Sequence, residues 1–444
     1  MRHPSRLRLA ILVLGVVALT GCASPTRLSP PPNLYSADTP YPDAELVASL
    51  RSPTADLIYV SDRKPLAAQP GHYSAERSAS VGIGVISVQI GRDASWGDIT
   101  LSSQQAEIAP QRLSLYVTKV DERVRLPATP VPFSASEGVM QESATARKEY
   151  DHATAAFRDL VVQRLKSTGQ SEVLLFVHGF NNSFEDAAYS LLDIWHYSGR
   201  SALPIAFSWP SGSNNIFGYF TDRESGDFSI FHFKELIRQL REIPEVRRIN
   251  IVAHSRGADI VTSGLRELVI EARAAGLSPT ALLKIDNLIL AAPDLDIGVV
   301  EQRLVAEKFG PAFGQITMYA NPNDTALGIS QIINLGTRFG RSRPEDLSDR
   351  VAEVFRGVHN VSFINVEGVT GFVGHSYFEE HRGVLADIVA VLATNSTPGS
   401  VTRPLTHVKG NFWTLPQDYR PDLSAGEGYL VTQQEGSSSA SDGE

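Results

Sequence analysis

Ile249-Asn250-Ile251-Val252-Ala253-His254-Ser255-Arg256-Gly257-Ala258-Asp259 decides the reading of this chain. An apolar, β-branched run stops at a serine with one small residue two positions before it, Ala253, and another two positions after it, Gly257. A strand that turns directly into a helix holds such a serine in a strained backbone conformation, and only small neighbours let strand and helix approach closely enough. The hydroxyl is then lifted above the sheet. The peptide N–H of Arg256 falls at the helix N-terminus, where it can meet a developing oxyanion. Ala253 stands where glycine is the smaller choice and adds one methyl. By itself the string also suits an ordinary strand-loop-helix corner, so its surroundings must decide.

Those surroundings alternate. Val173–Val177, Pro204–Trp209, Ile249–Ala253, Asn287–Ala292, Gln315–Ala320 and Val361–Val366 read as buried strands, and Ser183–Trp195, Phe231–Arg241, Ala258–Ala275 and Glu379–Leu392 as helices. Strands that alternate with helices imply an α/β fold, a mostly parallel sheet covered on both faces, with ligands bound at the carboxyl ends of its strands. Upstream, Leu57–Val60, Val81–Ile90 and Leu113–Val117 read as strands, and Ala153–Leu165 has helical spacing. The expected organisation is a leader over 1–21, a flexible tether over 22–45, a β-rich segment over 46–150, and a core over 151–395. A candidate cap covers 328–356, and an extension over 396–444 is expected to be disordered after about 423.

At 444 residues, with 42% hydrophobic and 20% charged content, the chain has a globular composition. Its formal charge of -9 and the absence of Lys/Arg runs argue against nucleic acid as a partner. Arg2, Arg6 and Arg8 precede an apolar stretch from Leu9 to Leu19 that is short for a bilayer span, and Leu19-Thr20-Gly21-Cys22 follows. This resembles a bacterial lipobox, which implies cleavage before Cys22, lipidation of that cysteine and a stable multi-chain membrane anchor. Cys22 is the single cysteine, so it has no partner within the chain for a disulfide. Ala23 after it points to the outer membrane of the bacterial cell envelope.

A serine nucleophile needs a base, and the base needs an orienting acid. In strand-elbow hydrolases they follow in the order serine, acid, histidine. His375, in the loop Gly371-Phe372-Val373-Gly374-His375 after the last core strand, is the expected base, ahead of His359 and His381. Asp324, two strands after the elbow, is the expected acid, with Asp294 and Asp296 as its competitors. The second oxyanion donor is expected from Phe180 in His178-Gly179-Phe180-Asn181-Asn182, beside the N–H of Arg256. Ser183 with Asp186 after it nearly matches a capping box for the next helix. The chemistry requires no metal and no organic cofactor.

Together, His178-Gly179-Phe180-Asn181-Asn182, Phe207-Ser208-Trp209-Pro210-Ser211, Ala253-His254-Ser255-Arg256-Gly257, Ala291-Ala292-Pro293-Asp294, Asp324-Thr325-Ala326-Leu327 and Gly374-His375-Ser376-Tyr377 resemble a bacterial α/β-hydrolase family of largely uncharacterised function, esterase- or lipase-like. Tyr59-Val60-Ser61-Asp62-Arg63 and Glu76-Arg77-Ser78 resemble that family's leading β segment. The resemblance implies the α/β-hydrolase fold and a Ser-Asp-His serine hydrolase acting on small-molecule or lipid esters. A carboxylesterase is expected, with lipase, thioesterase and amidase as relatives of the same chemistry. Arg256 departs from the family's usual methionine; it either favours an anionic substrate or folds into a surface ion pair. Ile329, Ile332, Ile333 and Leu335, followed by Arg338, Arg341 and Arg343, suit either a lid over the pocket or an amphipathic cover of the sheet. The rival reading is a non-catalytic envelope lipoprotein that uses a hydrolase scaffold for binding.

Overall fold

The computed structural model describes residues 26–36, 39–104, 112–212, 218–334, 336–366, 369 and 375–426. Cys22 and residues 371–374 lie outside them. Among the described residues the strands are β1 (Thr54–Pro65), β2 (Tyr73–Ile90), β3 (Leu115–Arg125), β4 (Phe133–Ser136), β5 (Val139–Glu142), β6 (Glu172–Val177), β7 (Leu203–Ser208), β8 (Arg248–His254), β9 (Ile285–Ala291), β10 (Gln315–Ala320), β11 (Val361–Val366), β12 (Thr406–Lys409) and β13 (Phe412–Leu415). The helices are α1 (Trp96–Gln104), α2 (Ala144–Thr168), α3 (Phe184–Tyr197), α4 (Gly218–Arg241), α5 (Gly257–Ala274), α6 (Pro279–Leu283), α7 (Thr325–Asn334), α8 (Asp349–Arg356), α9 (Tyr377–Glu380) and α10 (Arg382–Thr394).

One sheet runs in the order β12-β13-β11-β10-β9-β8-β6-β7-β1-β2-β3. From β13 across to β1 each neighbouring pair is parallel, and antiparallel pairs occur only at the two edges. Side chains alternate between the faces. Leu175, Val177, Ile251 and Ala253 pack on one side with α2, α4 and α5, while Leu174, Phe176 and Val252 pack on the other with α3 and α10. Burial on both faces is why these strands are continuous apolar runs rather than alternating ones. The chain therefore has the α/β-hydrolase fold with a strand-rich N-terminal region.

Three expectations on organisation need amendment. The segment expected as a tether is packed from Leu28 onward: Leu28, Leu34, Tyr35 and Tyr41 are buried, and Ser29 donates to Asp193 from its hydroxyl (2.5 Å) and its N–H (3.1 Å). Lack of an apolar period excludes a regular element there, not packing of single aromatic and leucine side chains between prolines. The N-terminal β-rich segment is present as expected, and it extends the core sheet, because β1 pairs in parallel with β7 and carries β2 and β3 beside it. Helix α2 starts at Ala144 behind an Ser143 cap, nine residues before its apolar spacing begins, since its first turns are exposed. Beyond residue 395 the chain adds β13 alongside β11, strands too short for a periodicity to show. No helix among the described residues is long and apolar enough to cross a membrane.

Candidate active site

The carboxyl ends of the parallel strands gather the site. After β8, Ser255 adopts φ +50, a left-handed conformation that a serine rarely takes. It is held there by its own peptide: the N–H donates to Ala291 O (2.9 Å) and the carbonyl accepts from Ala258 N (3.1 Å) and Asp294 N (3.2 Å). Gly257 is indispensable to this corner, since a Cβ on it would lie 2.4 Å from His178 O and 2.6 Å from Val177 O.

His375 reaches back from the far side of the sheet. Its Nε2 lies 2.8 Å from Ser255 Oγ and its Nδ1 lies 2.8 Å from Asp324 Oδ2. Asp324 is fully buried, and its second oxygen caps α7 by accepting from Leu327 N at 2.9 Å. An Asx turn after β10 sets that position: Asn321 Oδ1 accepts from Asn323 N, and Asp324 N donates to Asn321 O. The competing acids are engaged elsewhere. Asp294 accepts from Tyr219 Oη (3.0 Å) and Ser330 Oγ (2.7 Å) and lies 3.7 Å from the Arg338 guanidinium, and Asp296 caps a single helical turn, Ile297–Val299, through Val299 N. His381 caps α10, and His359 is exposed.

The loop after β6 presses against the elbow, since a Cβ on Gly179 would lie 2.9 Å from Ser255 Cβ. Gly179 N donates to Asn182 Oδ1, Asn181 N to Asp222 Oδ2, Asn182 N to Ser211 Oγ and Ser183 N to Asp186 Oδ2. Among the described residues, the N–H of Phe180 and that of Arg256 have no protein acceptor. These are the two groups expected to face an oxyanion. The capping box of Ser183 and Asp186 on α3 is present. The Arg256 guanidinium forms an ion pair with Asp259 at 3.0 Å, reaching from the N-cap position to the first turn of α5, and its side chain is 8% exposed. That favours the ion-pair alternative, in a buried rather than a surface setting.

Three supporting residues escaped sequence reasoning. Arg63, buried on β1, donates through Nε to Ser208 Oγ (3.0 Å), through Nη1 to Ser211 O (2.9 Å) and through Nη2 to Asn182 O (2.7 Å), so it ties β1 and the loop after β7 to the loop after β6. Burial pulls its pKa down to about 10, which still leaves it charged at neutral pH. His178 accepts from Trp209 N through Nε2 (3.1 Å), donates to Gly179 O through Nδ1 (2.9 Å) and stacks on the Trp209 ring. His254 donates from Nε2 to the His375 carbonyl (3.2 Å). Burial first, and then neighbouring positive charge, holds both histidines well below the usual imidazole range, so they are neutral orienting groups. The signal for Arg63 was the Ser61-Asp62-Arg63 string at a strand end, a place where charge is expensive unless it is used.

No curated protein matches the sequence. Among solved structures the chain is similar to a predicted CIB-like hydrolase from Thermoplasma acidophilum (15% identity, 50% of this chain, 86% of that one, TM-score 0.31). It is also similar to an esterase of Pyrococcus furiosus (14% identity, 50% and 83%, TM-score 0.29) and to the acyl-protein thioesterase 2 of Zea mays (13% identity, 45% and 86%, TM-score 0.26). Residues 153–393, more than half of the chain and the span that holds every residue of the candidate site apart from Arg63, match the family model "Alpha/beta hydrolase of unknown function (DUF900)", and the chain belongs to that family.

Proposed function

We propose that this protein is a serine hydrolase, a carboxylesterase of small-molecule or lipid esters, with Ser255 as nucleophile, His375 as base and Asp324 as orienting acid. The observation that carries the reading is the continuous relay of two 2.8 Å contacts from Asp324 through His375 to Ser255, beside two unengaged backbone N–H groups. With Asp324 accepting from Nδ1, Nε2 presents its lone pair to the serine hydroxyl. His375 takes the Ser255 proton as Oγ attacks the ester carbonyl, and the N–H groups of Phe180 and Arg256 stabilise the oxyanion. Collapse expels the alcohol, which takes its proton from His375 and leaves an acyl-serine. Water then attacks the acyl carbonyl as His375 takes its proton, and collapse breaks the acyl–Oγ bond, returns that proton to Ser255 and releases the acid. We propose also that acylated Cys22 anchors the protein in the bacterial envelope, at the outer membrane, on the strength of Leu19-Thr20-Gly21-Cys22.

The test is the full chain against Ser255→Ala, with fluorophosphonate labelling and hydrolysis of p-nitrophenyl butyrate. The parent should label and turn over, and the variant should do neither while keeping its circular dichroism spectrum. Equal turnover by the variant would remove Ser255 from the mechanism.

A further inference from the structure

We propose that Arg338 selects esters that carry a carboxylate a few bonds from the scissile carbonyl, an inference that rests on the hydrolase reading for the reaction and adds the class of substrate. Arg338 belongs to the candidate cap, and the backbone around it brings it to the site. Phe339 N donates to Leu295 O (2.7 Å), Gly340 N to Pro293 O (3.0 Å) and Asn321 N to Gly340 O (2.9 Å). The segment is thus held between the loops that follow β9 and β10, at the carboxyl ends of the strands. The guanidinium stands beside Asp294, with Nε 3.7 Å from Oδ1, and Asp294 N in turn donates to Ser255 O at 3.2 Å. Arg338 Nε is therefore at most about 11 Å from the main chain of the nucleophile.

The carboxylates around this opening are all committed. Asp294 accepts from the hydroxyls of Ser330 (2.7 Å) and Tyr219 (3.0 Å), Asp222 from Asn181 N (3.2 Å) and Gly212 N (3.0 Å), and Asp324 from His375 and Leu327 N. The guanidinium groups are not. Arg338 is only 5% exposed, its Nε has no acceptor among the described residues, and Asp294 at 3.7 Å is too far to accept a hydrogen bond. Arg256 beside it meets Asp259 through one Nη, and its buried Nε has no acceptor either. Burial and then the Asp294 charge raise the pKa of the Tyr219 hydroxyl, and the Arg256 charge lowers it, so Tyr219 lies within reach of both. The Tyr219 ring is 5.7 Å from that of Phe180, which joins this corner to the expected oxyanion donors.

A guanidinium withdrawn from water with its donors unpaired is costly, and a carboxylate is the acceptor that matches its planar fork. Arg338 and Asp294 balance in charge, as do Arg256 and Asp259, so the corner has an excess of donors rather than of charge. A single negative charge suits it. A doubly charged phosphate would face Asp294 and Asp259 at close range and be repelled. The substrate carboxylate accepts from Arg338 while its ester carbonyl lies over Ser255 Oγ, and an acidic group at that distance fixes which end of the molecule is cleaved.

Steady-state hydrolysis by the full chain tests this on two matched pairs. In p-nitrophenyl hydrogen adipate against p-nitrophenyl methyl adipate the carboxylate is free or capped on the acyl part. In 4-butyryloxybenzoate against its methyl ester it is free or capped on the alcohol part. The ratio of kcat/KM, free over capped, should fall about tenfold or more from the parent to Arg338→Met in one pair, the scale of a hydrogen bond to a charged group. Intrinsic reactivity and any general loss of activity cancel in that comparison. Ratios that the substitution leaves unchanged in both pairs overturn the proposal. Calorimetric binding to Ser255→Ala, with Arg338 in place, is the second arm. The free member of one pair should bind about tenfold more tightly than the capped one, and equal affinities in both pairs overturn the proposal even where Arg338→Met fails to fold. A parent that hydrolyses none of the four refutes the esterase reading, and the binding arm then decides the role of Arg338 by itself.

Discussion

Asp62 offers a sharp test of how the N-terminal strand supports the site. It lies at a register shift between β1 and β2, where Ser61 pairs with Gly82 but Arg63 pairs with Arg77, and the irregularity lets two adjacent side chains both enter the interior. The carboxyl group is fully buried, and neither oxygen makes a regular hydrogen bond; the Ser229 hydroxyl nearby gives its bond to Ser225 O. Burial pushes its pKa up to about 7, with Ser229 and the Arg63 charge pulling only partway back. From the ordinary value of 3.8 to about 7, the native state holds a proton that the unfolded state has lost. Stability therefore falls as pH rises through that window, by about 1.4 kcal/mol per unit and about 4 kcal/mol in all, and is flat above it.

Asp62→Asn removes this one titration and leaves the others in place. The buried histidines, whose native pKa values are depressed, make stability rise with pH below about 6.5, but they do so equally in parent and variant and cancel in the difference. At low pH the variant is expected to be the less stable, because its amide leaves buried donors unpaired at a cost of about 1–3 kcal/mol. The difference should then swing in the variant's favour by about 4 kcal/mol on going from about pH 4 to about pH 8. Urea unfolding followed by circular dichroism across that range measures it. Parallel stability curves for the two proteins would refute the reasoning, because they would mean that Asp62 titrates alike in folded and unfolded chains.

Asp324→Asn should lower kcat by about ten-thousand-fold, the scale seen when a triad acid can no longer fix the imidazole tautomer, whereas Asp294→Asn should stay within about tenfold; steady-state ester kinetics on the pair separates the acid from its competitor. Arg63→Met removes the donors that hold Asn182 O and Ser211 O and is expected to lower kcat about tenfold with KM little changed, a fraction of what losing an oxyanion donor outright costs. Arg403 and Asp387 form a fully buried pair that Tyr319 and Tyr419 also join through their hydroxyls. Arg403→Met should destabilise by about 3–5 kcal/mol in urea, and adding Asp387→Leu should recover most of the loss, because the penalty is that of a stranded buried charge.

What the sequence disclosed followed from locality. Strands buried on both faces declare themselves as apolar runs, and residues such as Asp324 and His375 become visible because they sit in the loops that end those runs. The ion pair of Arg256 with Asp259 is equally local, three residues apart on one helical turn. Arg63 could not be read this way. Its partner carbonyl on Asn182 is 119 residues distant, and the two meet only because β1 docks in parallel beside β7, a pairing that no pattern within β1 encodes. The same limit hid Ser29, which serves Asp193 across 164 residues. Contacts of this kind decide whether a proline-rich segment is a tether or part of the core.

The two small residues that open the sequence argument turn out to be unequal. The methyl of Ala253 points from β8 into the core face, where it packs beside α5 among apolar neighbours that can accommodate it. A methyl on Gly257 would instead strike two backbone carbonyls at and just past the end of β6, Val177 O and His178 O, at distances no real Cβ adopts. Side chains can shift by tenths of an ångström, whereas a carbonyl at the end of a parallel strand and one held by the Trp209 indole cannot. The corner therefore demands glycine after the serine and only a small residue before it. Alanine at the first position is a permitted variation, and the strain at Ser255 that lifts its hydroxyl toward His375 is preserved.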